Sequence, residues 1–138
     1  MTWQVLEGCD SIPVTLFEAS ERVDSGPIYL QGQIQLHGDE LVDELRYLQA
    51  QMTFNLCREF VNNFPSILEN ARTQKGDSTY YPRRTQKDSQ LDPDRSIRSQ
   101  FNLLRVVDNH RYPAWFNIFQ TSYTLTIRKK DVHDRNNK

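Results

Sequence analysis

Val23-Asp24-Ser25-Gly26-Pro27-Ile28-Tyr29-Leu30-Gln31-Gly32-Gln33-Ile34-Gln35-Leu36 is a turn followed by a strand. Ile28, Leu30, Ile34 and Leu36 share one parity, with Gly32 between them, while Tyr29, Gln31, Gln33 and Gln35 share the other. Side chains alternate across a strand, so this run has one buried and one wet face. Upstream, Val14-Thr15-Leu16-Phe17 is rich in strand formers and follows a proline. Further upstream, Trp3, Val5 and Leu6 fit the last turns of a helix that Gly8 stops, because glycine takes the left-handed conformation a helix end often needs.

Downstream, Gly38-Asp39 is expected to open a long helix. Leu41, Leu45, Leu48, Met52, Leu56 and Phe60 recur at steps of three and four, which is one helical face. Asp39, Glu40, Asp43 and Glu44 crowd its start, where the helix dipole favours negative charge. Asn62-Asn63-Phe64-Pro65 breaks it, and Pro65 starts a short second segment through Ile67 and Leu68. Residues 72–92 are polar, without an apolar period, and read as a loop; loops of that length tend to be functional or disordered. Asp92-Pro93 is expected to cap and begin another helix, with Ile97, Phe101, Leu104 and Val107 on its apolar face and Asp108-Asn109 at its end. Ala114–Phe119 and Tyr123–Ile127 read as a hairpin around Gln120-Thr121-Ser122. The charged tail from Arg128 to Lys138 is expected to fray.

The 138 residues suffice for one modest domain. With 17 Lys plus Arg against 18 Asp plus Glu, the net charge is -1, and mean hydropathy is -0.73. Such a balance argues against a bulk electrostatic grip on nucleic acid, which needs clustered positive charge. Cys9 and Cys57 have neither metal-ligand nor disulfide spacing and read as free thiols in a reducing compartment. No apolar run approaches the ~20 residues that cross a bilayer, and the first residues do not read as a signal peptide. The expectation is therefore a cytoplasmic protein with no membrane partner. His37, His110 and His133 have no second His or Cys at ligand spacing, so no metal site is expected.

Two places carry candidate chemistry. Asp24 stands just before a strand, where a carboxylate can be held rigidly for acid–base work; its plain alternative is a turn aspartate bonding its own backbone two residues on. Tyr80-Tyr81-Pro82-Arg83-Arg84-Thr85 joins aromatic and cationic groups that suit an anionic ring-bearing ligand, because arginine grips phosphate with a planar fork and tyrosine stacks on rings. The alternative there is a solvated loop. Asn102 and Arg105, beside the apolar residues Phe101 and Leu104, are either a site or a buried hydrogen bond.

The order of these motifs is specific. Ser11-Ile12-Pro13-Val14-Thr15-Leu16-Phe17-Glu18-Ala19, then Val23-Asp24-Ser25-Gly26-Pro27-Ile28, then Leu36-His37-Gly38-Asp39-Glu40-Leu41-Val42-Asp43-Glu44-Leu45-Arg46 resembles the 10-formyltetrahydrofolate-dependent formyltransferases. Tyr81-Pro82-Arg83-Arg84-Thr85, Gln100-Phe101-Asn102-Leu103-Leu104-Arg105 and Arg111-Tyr112-Pro113-Ala114 resemble their sugar-nucleotide branch. The resemblance implies an α/β fold: a partial Rossmann-like formyltransferase core lacking its N-terminal strands, followed by a small helix plus β-hairpin subdomain. It divides the chain into the C-terminal half of a catalytic core at 1–71, a loop at 72–92, the helix and hairpin at 93–128 and a tail at 129–138.

It also implies chemistry. A neutral amine attacks the formyl carbon carried by the folate, an oxyanion forms, and the amine loses a proton. The family uses an Asn, a His and an Asp. Asp24 matches the Asp, while no Asn-x-His occurs in this sequence, so the resemblance implies a truncated chain or one paired with a separate N-terminal piece, inactive alone. The donor 10-formyltetrahydrofolate is expected against Ser25, Gly26 and a loop of Asp10, Ser11, Ile12 and Pro13. The acceptor is expected to be a dTDP- or UDP-linked amino sugar, as in lipopolysaccharide or O-antigen synthesis, held by Tyr81, Arg83, Arg84, Asn102, Arg105, Tyr112 and Trp115. A methionyl-tRNA formyltransferase-like fragment, a non-catalytic remnant that binds a sugar nucleotide or self-associates as a homodimer, and a formyltetrahydrofolate hydrolase are the alternatives.

Overall fold

In the computed structural model, β1 (Ser11–Phe17) pairs antiparallel with β2 (Ile28–Gln35). Residues 1–76 and 79–130 are described; His133 and the tail from 131 lie outside the described residues, as do two positions of the 72–92 loop. The chain divides into two compact units, Met1–Pro82 and the part from Arg83 onward.

In the first unit, β1 begins at Ser11 rather than at Val14, because Ser11, Ile12 and Pro13 face Gln35, Ile34 and Gln33 across the ladder. Pro13 lacks an N–H, which an edge strand tolerates. From Gln31 to Leu36 burial follows the expected parity: Ile34 and Leu36 are buried, and Gln31, Gln33 and Gln35 are exposed. α2 (Val42–Asn62) lies on this pair. Leu45 and Leu56 are buried, Leu41, Leu48, Met52 and Phe60 are partly covered, and the other positions from Asp43 to Asn62 are exposed. The face read from periodicity is therefore the face that packs. Gly32 lets helix and strand approach: a Cβ there would stand 2.3 Å from Met52 Sδ. Tyr29 meets Phe60 with ring centroids 5.3 Å apart.

α2 starts later than Gly38-Asp39. Gly38 has φ 95°, and the buried Glu40 carboxylate accepts the backbone N–H groups of His37 and Gly38. Those bonds close a turn, and only at Leu41 does the chain enter the helix, with Glu44 accepting the Leu41 N–H at 2.8 Å. Asp43 and Glu44 are thus in the first turn, and Asp39 and Glu40 precede it. After Asn62 a short 3-10 segment, Ser66–Asn70, follows Pro65 as expected. α1 (Thr2–Leu6) ends at Gly8, φ 83°. Tyr81 returns to it, stacking on Trp3 at 5.7 Å and donating its hydroxyl to Glu7 at 3.1 Å, while the Trp3 indole N–H donates to the Pro82 carbonyl at 3.2 Å.

The second unit is built on Leu91, Leu104, Val107 and Ala114. Its helix, α3, spans only Phe101–Val106, after a 3-10 turn at Arg98–Gln100. The helix expected from Asp92-Pro93 does not form because side chains take the backbone groups it would use. Asp92 Oδ1 accepts the Asp94 N–H at 3.0 Å, and Gln100 accepts the Asp92 N–H at 2.7 Å while donating to the carbonyls of Asp92 and Arg95 at 2.9 and 3.3 Å. Short polar side chains compete with a helix in this way. Ile97 is consequently 59% exposed, not part of the core face. Residues 83–92 are not wholly loop: Gln86–Ser89 form a 3-10 turn, and Ser89 and Leu91 are buried.

β3 (Ala114–Ile118) and β4 (Thr121–Leu125) form the hairpin. Its turn is Phe119-Gln120, with φ 49° and 64°, not Gln120-Thr121-Ser122. Ile118 pairs with Thr121, so the register leaves two loop residues, and a two-residue hairpin of this kind requires positive φ at both. Beyond β4, Asn109 Nδ2 donates to the Ile127 carbonyl at 2.8 Å and its Oδ1 accepts the Ile127 N–H at 3.1 Å, a side chain standing in for a strand. Among the described residues no helix is long and apolar enough to cross a membrane.

Candidate functional site

The turn before β2 is fixed from within. Ser25 Oγ donates to the Arg22 carbonyl at 2.8 Å and meets Ser20 Oγ at 2.9 Å. Glu18 and Pro27 are joined through their backbones at 2.9 Å. Gly26 is buried, and a Cβ there would lie 1.8 Å from the Glu18 carbonyl oxygen, so no other residue fits without moving the backbone. Gln74 donates its amide to the Gly26 carbonyl at 2.7 Å. On this frame Asp24 sits at φ 52°, in the left-handed region that aspartate tolerates better than most residues. Its side chain is exposed and bonds nothing among the described residues. The self-bonded turn aspartate is not what forms, and the carboxylate is open to a ligand.

The loop expected at Asp10–Pro13 is the beginning of β1. Asp10 precedes the strand and its carbonyl accepts the Leu36 N–H at 2.7 Å. Ser11 Oγ donates to Gln33 at 3.1 Å. Ile12 is 2% exposed and belongs to the core, so its side chain has no surface for a cofactor. Ser11 and Pro13 point to the exposed side of the strand.

Of the residues expected to hold a substrate, Tyr81 is in the first unit, engaged with Trp3 and Glu7. Its hydrogen bond to Glu7 holds the phenol pKa above the usual value. The others are in the second unit. Arg83 is exposed. Arg84 donates to the Asp88 carbonyl at 2.6 Å and to the Val106 carbonyl at 3.5 Å, and its Nε is buried without a partner among the described residues. Burial lowers the Arg84 pKa, with Asp88 acting in the opposite sense. Arg105 is 3% exposed and donates to Asn102 Oδ1 at 3.1 Å, so the two form a part-buried hydrogen bond. Trp115 donates its indole N–H to the Gln86 carbonyl at 2.9 Å. The Tyr112 backbone serves the fold, its carbonyl accepting from Ser89 at 3.2 Å, while its ring is partly open.

Two grooves in the first unit were not legible in advance. One, of about 510 Å³, includes His37, Glu40, Asp43, Glu44 and Tyr47. The other, of about 500 Å³, is lined by Ile28, Gln31, Arg72, Thr73 and Lys75. The residues from Arg72 to Lys75 lie in a stretch without periodicity, and the one signal that could have marked them was the closeness of two cations, Arg72 and Lys75. Among the described residues no group of three His, Cys, Asp or Glu side chains could hold a metal ion.

No family model matches the sequence. A methionyl-tRNA formyltransferase from Thermodesulfovibrio yellowstonii is 26% identical over 134 residues, 97% of this chain and 42% of that protein. This chain is related to the formyltransferases. Its fold is theirs as well: a methionyl-tRNA formyltransferase from Clostridium thermocellum superposes with a TM-score of 0.69 at 16% identity, covering 94% of this chain and 56% of that one. A sugar N-formyltransferase from Shewanella superposes with a TM-score of 0.64 at 14% identity, covering 95% of this chain and 55% of the other. The chain thus spans under half of its formyltransferase relative in sequence and a little over half of the formyltransferases it matches in structure. The expected mixed α/β formyltransferase fold is present.

Proposed function

We propose that this chain supplies part of a site that transfers a formyl group from 10-formyltetrahydrofolate to a primary amine. The observation that carries the reading is the turn at 23–27: an exposed carboxylate on a frame braced by Ser20, Ser25 and Gly26, within a formyltransferase fold. The amine nitrogen adds to the formyl carbon, the carbonyl oxygen becomes an oxyanion, and collapse breaks the bond to the folate nitrogen, which takes up the proton that the amine loses. Asp24 orients and charges a histidine and helps to pass that proton. Ser25 and Gly26 line the pterin end of the donor, together with the exposed side chains of Asp10, Ser11 and Pro13.

The acceptor we favour is a dTDP- or UDP-linked amino sugar. The net charge of -1 disfavours a tRNA surface, and sugar N-formyltransferases share the fold. Arg83, Tyr112 and Tyr81 are the most exposed of the candidates; Arg84, Asn102, Arg105 and Trp115 act, in this reading, by holding the surface in shape. A second acceptor, methionyl-tRNA, is favoured by one specific observation: methionyl-tRNA formyltransferases are among the sequence relatives. Soluble folate and nucleotide-sugar substrates fit a cytoplasmic protein.

The sequence contains no Asn-x-His, so this chain alone is expected to form no product. The test joins it to a formyltransferase segment carrying Asn-x-His and offers 10-formyltetrahydrofolate with dTDP- and UDP-amino sugars or charged initiator tRNA. Tetrahydrofolate release dependent on an amino sugar, and lost in Asp24→Asn, supports the reading. Release with tRNA alone moves it to the second acceptor. Release without any acceptor makes the protein a hydrolase and overturns the proposal.

A further inference from the structure

The segment after α2 comes back beside β2. Arg72 exchanges both backbone hydrogen bonds with Ile28, at 2.7 and 2.9 Å, and Gln74 reaches the Gly26 carbonyl. Residues 72–75 therefore run along the turn that carries Asp24. The groove of about 500 Å³ formed there has a guanidinium, an ammonium, a hydroxyl and an amide in its lining, and no carboxylate among the described residues. Its volume is within the range of about 300–1,000 Å³ usual for ligand pockets. Arg72 and Lys75 form no ion pair among the described residues. The groove of similar volume beside His37 has three carboxylates in its lining, so positive lining is not general to this unit.

One exposed cation holds a single anionic group weakly. Arginine's fork and a neighbouring lysine gain more from a ligand carrying several anionic groups in a row. We propose that this groove is a subsite for an oligoanionic chain, carboxylate or phosphate, whose parent ligand lies with its other end at the 24–26 turn. The second half of that statement rests on the formyl-transfer reading; the first half does not. Two sources supply the chemistry: a glutamate chain on the folate, or the diphosphate of a nucleotide sugar.

The test is a two-dimensional amide NMR titration of the full chain at low salt with tri-γ-glutamate, with dTDP and with uncharged thymidine. The anions are expected to shift the Gln31, Arg72, Thr73 and Lys75 amides saturably, and thymidine is not. Tighter tri-γ-glutamate assigns the groove to the folate chain, and tighter dTDP to the nucleotide; either supports the subsite. Arg72→Gln with Lys75→Gln should weaken binding at least tenfold. Lys75→Glu, an exposed single change, should abolish it even if the double variant does not fold. Shifts that never saturate, binding that survives these changes, or equal shifts with thymidine would overturn the subsite. Neither a formyl donor nor turnover enters, so loss of the formyl-transfer reading leaves this result standing, and the reverse.

Discussion

At the 23–27 turn, Asp24 stands exposed with no partner among the described residues while Ser20, Ser25 and Gly26 hold the backbone beneath it. In the second unit the order is reversed: Arg105 and Asn102 are bonded to each other, Arg84 to carbonyls and Trp115 to Gln86, so most of these polar atoms serve the fold, the Arg84 Nε excepted. The difference separates residue type from residue availability. A carboxylate on a braced turn keeps its chemistry for a ligand, whereas a buried guanidinium has exchanged its chemistry for local order.

The strongest challenge to this contrast is Gly26→Ala. Its Cβ would lie 1.8 Å from a backbone oxygen, so the first unit should lose at least about 3 kcal/mol, read as the midpoint of urea unfolding. An unchanged midpoint would show that the turn is not braced as described. Next, Arg105→Ala strands the Asn102 acceptor and opens a buried space, and should cost about 2–3 kcal/mol. Asp24→Asn, by contrast, should shift stability by less than about 0.5 kcal/mol while removing formyl transfer in the reconstituted enzyme. If Asp24→Asn destabilised as much as Arg105→Ala, the contrast would collapse.

Gln100→Ala should cost about 1–2 kcal/mol by leaving the Asp92 N–H and carbonyl without their side-chain partner, with the loss confined to the second unit in hydrogen exchange. The smallest effect concerns acid. The Asp88 carboxylate is held below its ordinary pKa, first by the Thr85 backbone N–H and then by the Thr85 hydroxyl. A lowered folded-state pKa gives stability that is present above the unfolded value and lost as pH falls through the folded one. Asp88→Asn should therefore flatten the stability profile on the acid side of pH 4, seen by following the midpoint from pH 5 downward.

How much of this could be read in advance depended on which forces set each element. β2 and α2 were legible because burial on one face imposes a period of two or of three to four, and Ile34, Leu36, Leu45 and Leu56 obey it. The start of α2 and the stretch at 92–100 were not, because Glu40, Asp92 and Gln100 bind the backbone locally and override a good helix pattern. The hairpin turn was displaced because Phe119, a poor residue for positive φ, carries the turn anyway once Ala114 and Leu125 set the register. At the candidate site, the turn around Asp24 could be found from its motif, but whether its carboxylate was free could not. The cations at 72 and 75 had no pattern at all and gain meaning only when the chain returns to Ile28.

The Gln74 bond to Gly26 has a mechanical consequence. It ties the strip 72–75 to the backbone of the turn bearing Asp24, so a ligand held by both places would be read by one connected piece of backbone. By reciprocity, if a ligand on the strip raises affinity at the turn, a ligand at the turn raises affinity on the strip by the same factor. One amide is thus the physical link through which the two places would share an equilibrium.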